Sequence, residues 1–174
     1  MSTTLNIRAE QRDDRTAVRF VNELAFGRAD EADVVDMLRT ACSDALSLVA
    51  MDGEVVVGHI LFTPVVVEHE HRHVTGMGLA PMAVLPSHQG QGVGSALVRR
   101  GLELLRDRHC PFVVVVGHPT YYPRFGFEPA SRHGLTSQWP GMTDEAFMAI
   151  VLDERTMEGV TGVARYRDEF DSVT

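Results

Sequence analysis

The chain has 174 residues, 44% apolar and 23% charged, enough for one packed domain; this balance excludes collagen-like repeats, a disulfide-stapled miniature and wholesale disorder. A formal charge of −8 at pH 7 opposes a nucleic-acid backbone as the primary ligand. Apolar runs such as Val113–Val116 are strand length, far below the roughly 20 residues of a membrane helix, and Cys42 and Cys110 lack CxxC spacing, so free thiols in a reducing cytoplasm are expected, with no membrane partner.

In chain order, Met1-Ser-Thr-Thr-Leu-Asn-Ile-Arg8 has no basic segment followed by an apolar stretch, so it does not read as a secretory signal. Ile7 to Glu10 reads as a short strand. Asp13 and Asp14 then precede a helical pattern with Val18, Val21, Leu24 and Ala25 on one face. A second helix carries Glu31 and Asp33 in its first turn and Val34, Val35, Leu38 and Ala41 on its apolar side. Leu46 to Ala50 and Glu54 to Gly58 flank Met51-Asp52-Gly53, a hairpin signal. His59 to Val67 continues as strand, with Pro64 pointing to an edge or a bulge. Glu68-His-Glu-His-Arg-His73 is a polar connection; the alternation of His69, His71 and His73 is a spacing that metals use, but its position between strands reads as an exposed loop, and no metal is expected.

Val74 to Val84 returns as a strand and leads into the glycine-rich turn Gln89-Gly-Gln-Gly-Val-Gly94. Ser95 to Arg108 then has helical spacing, with Leu97, Val98, Leu102 and Leu105 as the buried stripe. Phe112 to Val116 is a continuous β-branched run, as in a strand covered on both faces. Strand, glycine turn, helix and strand make a βαβ unit with parallel strands. Tyr121 to Phe127 is a short irregular or helical piece, Trp139-Pro-Gly-Met142 lies in a loop, Ala146 to Leu152 is a strand and Gly162 to Tyr166 a last one. The fold class is thus α/β, a mixed sheet mostly antiparallel with one central parallel crossover, in a single domain, 1–174.

Successive glycines let several N–H groups point into one concavity, and the following helix adds its unpaired N–H groups and dipole, so the turn suits a phosphate or pyrophosphate. Two nucleotide readings fail by residue. The lysine of a Walker A loop is missing, and a dinucleotide fingerprint starting at Gly90 would need glycine where Ser95 stands.

With Gln89, Gly92 and Gly94 at the spacing Gln/Arg-x-x-Gly-x-Gly/Ala, Met82-Ala-Val84 ahead of them and Tyr122-Pro-Arg-Phe-Gly-Phe127 behind, the sequence resembles the GNAT acetyltransferase superfamily, in its bacterial acetyltransferase type. The resemblance follows the order of elements from Ile7 to Phe127. It implies the GNAT acyl-CoA acyltransferase fold, acetyl-CoA as co-substrate, and direct acetyl transfer to a primary amine of a small molecule or peptide. It also leaves room for a homodimer.

Carried over residue by residue, the resemblance implies that backbone at Met82, Ala83 and Val84 pairs with the pantetheine arm and that a backbone N–H near Val84 steadies the oxyanion. Pro81 independently predicts a bulge or interruption in that strand, since it cannot donate to a ladder. The pyrophosphate is expected over Gln89, Gly90, Gln91, Gly92, Val93, Gly94 and Ser95. Arg99 and Arg100 are the nearest basic residues in sequence, read mainly as a solvated helix face. Tyr122 matches the tyrosine that protonates the departing thiolate, with Tyr121 beside it leaving the register open. For the general base His118 is the first candidate and His59 the second. The longer helix that often precedes the tyrosine is replaced here by Gly117-His-Pro-Thr120, so cofactor contacts drawn from it are not carried over. Two other readings are kept: a non-catalytic acyl-CoA-binding sensor or scaffold, which needs no acid at 122, and a nucleotide-dependent oxidoreductase.

Overall fold

The computed structural model describes residues 4–173; the part of the N-terminal reading that falls on residues 1–3 lies outside the described residues. The chain forms two compact units, one built from 4–62, Ala80–Leu102 and 168–173, the other from Thr63–Leu79 and Glu103–Arg167.

In the first unit, β1 (Leu5–Ala9) pairs antiparallel with β2 (Leu46–Asp52), and β2 with the start of β3 (Val55–His69). Asp52 faces Val55 across the expected hairpin, and the register slips between Ala50 and Met51. The two strands expected on either side of Gly58 are one continuous strand. On one side of β3 a Cβ at Gly58 would meet Val93 and Leu97 of α3 (Val93–Asp107); on the other, the next residue, His59, bonds Asn22 of α1 (Arg15–Phe26). Alternation along a strand sends successive side chains to opposite faces, so helices cover both.

α1 keeps Val18 and Val21 inside as expected, but Asn22 is buried and Leu24 is 46% exposed. The apolar stripe is rotated because His59 supplies a polar partner for a side chain in that place. α2 (Asp30–Ala41) buries Val34, Val35 and Leu38, with Ala32 and Glu31 inside in place of Ala41. Glu31 tolerates burial because the Arg28 guanidinium bonds both its oxygens. The C-terminal turn at Asp168–Val173 packs on α2.

In the second unit the rest of β3 turns through Glu70 and His71, both with positive φ, into β4 (Arg72–Val84). The connection is thus the exposed hairpin turn that its place between strands implied, and with His71 in the turn the three histidines do not share one strand face. Pro64 falls after the β2 pairing ends at Phe62 and before β3 meets β9 (Gly162–Arg165) at Val66 and Val67, where its missing N–H disturbs neither ladder.

β4 pairs parallel with β5 (Phe112–Val116), Met77 opposite Val113 and Gly78 opposite Val114. The parallel contact thus lies in the middle of the expected Val74–Val84 strand, and β4 runs on to Val84. β5 pairs antiparallel with β8 (Phe147–Val151), which also pairs with β6 (Glu128–Pro129). Phe112–Val115 are almost fully buried, as a strand covered on both faces should be. A second parallel pair joins β7 (Leu135–Ser137) to β9. Three residues reading Leu-Thr-Ser carry no strand signal of their own. The sheet is mixed and mostly antiparallel, as expected.

Candidate active site

At the end of β4 the peptide before Pro81 is cis. Pro86–His88 then form one 3-10 turn, and the chain enters the glycine segment. Gly90 and Gly92 have φ of 73° and 85°, the left-handed region that favours glycine, and a Cβ at either would meet nothing within 4 Å. Here glycine serves backbone shape, leaving open space above the turn. Both glutamines fold away: Gln89 Nε2 donates to the Val84 carbonyl at 3.0 Å, and Gln91 Nε2 to the Ser87 carbonyl at 3.1 Å. What these two residues offer a ligand is therefore backbone, while their amides brace the turn.

α3 starts at Val93, two residues earlier than expected, with Ala96 N–H donating to the Gly92 carbonyl at 3.0 Å. The N–H groups of Val93 and Gly94 lie ahead of the helix's own ladder, at the positive end of its dipole. A phosphate fits this segment: open space, left-handed glycines and helical N–H groups coincide. His88 beside it bonds Ser87 Oγ at 2.8 Å and Asp52 Oδ2 at 3.1 Å. Arg99 and Arg100 lie exposed on α3.

Tyr122 opens a 3-10 turn, Tyr122–Phe125, that has Pro123 as its second residue and is capped by Gly126 in the left-handed region. Its ring is buried, edge-on to Tyr121 at 5.1 Å and to Phe127 at 5.7 Å. Gly117 makes the space, since a Cβ there would lie 2.6 Å from the Tyr122 Cε2. Tyr121 is half-buried under the Arg124 guanidinium, 4.6 Å from its centroid. Of the adjacent tyrosines, 122 is the enclosed one. Burial first, and Tyr121 second, push the Tyr122 phenol up to about 12, so it is fully protonated at neutral pH.

The two histidines proposed as bases differ. His118 is exposed, and its carbonyl receives the Tyr121 and Tyr122 N–H groups. His59 is sealed in the first unit. Asn22 Nδ2 donates to its Nδ1 at 3.1 Å, its Nε2 meets Ser47 Oγ at 2.9 Å, and Ser47 donates to Glu10, which Arg39 also bonds. Donors and acceptors along this chain match a neutral ring with its proton on Nε2. Burial, then the Arg39 charge, lower His59 to about 3. Its 3.8 Å approach to Glu10 is thus no ion pair at neutral pH, and Ser47 bonds both. His59 is a satisfied core group. The sequence offered no sign of this chain, whose members come from α1, α2, β2, β3 and Glu10, the residue after β1. Cys42 and Cys110 are free and buried.

The family model of the acetyltransferase (GNAT) domain matches residues 6–130. The N-acetyltransferase YhbS of Escherichia coli K12 is 37% identical over 166 residues, covering 95% of this chain and 98% of that protein. The N-acetyltransferase YjhQ of the same organism is 45% identical over 130 residues, 73% of this chain and 72% of its own. Among solved structures, that of Escherichia coli YhbS in complex with CoA superposes with a TM-score of 0.90 at 36% identity, over 98% of this chain and 94% of that one. A GNAT acetyltransferase from Brucella melitensis in complex with acetyl-CoA gives 0.79 at 32% identity, over 97% and 99%. The chain belongs to the GNAT acetyltransferase family, and so to the acetyl-CoA-dependent acyltransferases.

Proposed function

We propose that this protein moves the acetyl group of acetyl-CoA directly onto a primary amine of a small molecule or peptide, with residues 1–174 acting as one catalytic domain. The bound CoA and acetyl-CoA of the two structural neighbours support the co-substrate, and the open turn supports its phosphate end. Backbone at Met82, Ala83 and Val84 receives the pantetheine arm, and Gln89 to Ser95 receive the pyrophosphate. The amine nitrogen attacks the thioester carbonyl, a backbone N–H near Val84 steadies the oxyanion, and the carbon–sulfur bond breaks as Tyr122 passes its proton to sulfur. The proton shed by the amine passes to water, and Tyr122 recovers one from solvent. Neither cysteine belongs to these motifs, in keeping with direct attack rather than an acyl-enzyme.

The observation that carries this reading is the buried, protonated Tyr122 at the family's acid position. A sensor or scaffold that only binds acyl-CoA needs no such group. CoA release from acetyl-CoA over a panel of amines, wild type against Tyr122→Phe, is the test. Turnover on at least one amine that falls about 100-fold or more in the variant, with acetyl-CoA binding intact, is expected. Tight acetyl-CoA binding with no turnover on any small amine or peptide lysine overturns the enzyme reading in favour of the sensor.

A further inference from the structure

His88 ends the 3-10 turn Pro86–His88, just ahead of the glycine segment, and its ring is bonded on both nitrogens. Nδ1 meets Ser87 Oγ at 2.8 Å, and Nε2 meets Asp52 Oδ2 at 3.1 Å. A carboxylate can only accept, so the ring carries a proton on Nε2 and donates it to Asp52. Asp52 ends β2 and faces Val55 across the hairpin, where Gly53, with φ of 62°, already makes the turn. The hairpin itself therefore has no need of this bond. The two side chains are only 26% and 29% exposed, which sets them apart from a pair standing in open solvent.

The bond to Asp52 lies at the foot of a chain of contacts that ends in the glycine turn. His88 holds Ser87 through its hydroxyl, and the Ser87 carbonyl accepts the Gln91 amide at 3.1 Å. On the strand side, Gln89 is tied to the Val84 carbonyl, and the Leu85 N–H to the Val57 carbonyl of β3 at 2.9 Å. All these residues belong to the first unit. Gly90 and Gly92 contribute no packing of their own: each is left-handed and has open space where a side chain would begin. Glycine backbone is the most pliable in the chain, so the direction of the N–H groups depends on what holds the ends of the turn. Bonds to Val84 and Val57 hold one end. The chain from Asp52 through His88 and Ser87 holds the segment to which Gln91 is tied.

We propose that His88, anchored by Asp52, is a positioning residue for acetyl-CoA, keeping the glycine turn in the shape that presents its N–H groups to the pyrophosphate. No bond forms or breaks at either side chain during acetyl transfer. The proposal rests on the pyrophosphate being seated over Gln89 to Ser95. A bond that served stability alone would change the amount of folded enzyme, and so the apparent kcat, while leaving affinity for the cofactor as it was.

The test measures CoA affinity by calorimetry, and steady-state kinetics, on the full chain. The variants are His88→Ala, Asp52→Ala, the two combined, and Asp52→Asn, which keeps an acceptor oxygen for the ring. Either alanine variant is expected to raise the Kd for CoA and the KM for acetyl-CoA about tenfold, the effect of one hydrogen bond to a charged group, with kcat at saturation unchanged. The combined variant should again lose about tenfold rather than a hundredfold, because both substitutions remove the same anchor. Asp52→Asn should stay close to wild type. Wild-type affinity in His88→Ala, losses that multiply in the combined variant, a fall in kcat with Kd unchanged, or an asparagine variant as weak as the alanine one overturns the proposal. A Gly92→Ala protein that binds CoA like wild type overturns instead the seating of the pyrophosphate on the turn, and that single variant tells the two failures apart.

Discussion

A side chain at Gly90 or Gly92 would meet no atom within 4 Å, whereas one at Gly117 would press 2.6 Å from the Tyr122 ring. The first two glycines supply backbone shape in open space; the third supplies room in a packed interior. The same contrast runs through the side chains. Around the turn Gln89 and Gln91 fold back onto carbonyls and leave backbone exposed, while at Tyr122, Tyr166 and His59 the side chains themselves are enclosed and their ionisation is displaced. Anion binding by N–H groups needs direction and access. Proton transfer or a buried polar link needs a controlled, water-poor environment, and that requires packing.

This contrast orders the expected effects. The largest belongs to His59, where enclosure is complete. Its folded pKa, near 3, lies below the ordinary 6.5, so the unfolded chain takes up a proton that the folded one refuses. The stability that this difference represents is fully present above pH 6.5 and is lost as pH falls toward 3. By pH 4 the loss is about 3 kcal/mol. Urea unfolding at pH 7 and pH 4 should show this in wild type and a drop smaller by that amount in His59→Gln; equal drops in the two proteins would mean that His59 is not the group responsible.

Next comes Gly117→Ala. Pushing a methyl group against the ring should destabilise the fold by about 2 kcal/mol and lower kcat roughly tenfold by moving the Tyr122 hydroxyl. CoA binding measured by calorimetry should stay within twofold, and a weakening as large as the loss in kcat would erase the division between the two regions. The smallest effect is Gly92→Ala. With space available, only the left-handed φ is penalised, at about 1 kcal/mol. CoA affinity should fall several-fold while kcat at saturation is unchanged; a variant that binds CoA like wild type but turns over slowly would contradict the role given to the turn.

The glycine segment and the α3 stripe were legible in the sequence because their causes are local. Glycine spacing encodes the turn, and Leu97, Val98, Leu102 and Leu105 recur at helical period. The run Phe112–Val116 announced a covered strand for a similar reason. Where the reading went astray, the deciding partner lay far along the chain. Leu24 faces out and Asn22 in because of His59, two strands on, and β7 exists because β9 is beside it.

The order of elements, the glycine character of the turn and the tyrosine motif at 121–127 are properties of the sequence by itself, since each rests on residues within a few positions of one another. Which tyrosine of the pair is enclosed, how far its proton affinity rises, and that Asp52 meets His88 were decided by the tertiary structure. Desolvation and packing depend on residues that only folding brings together.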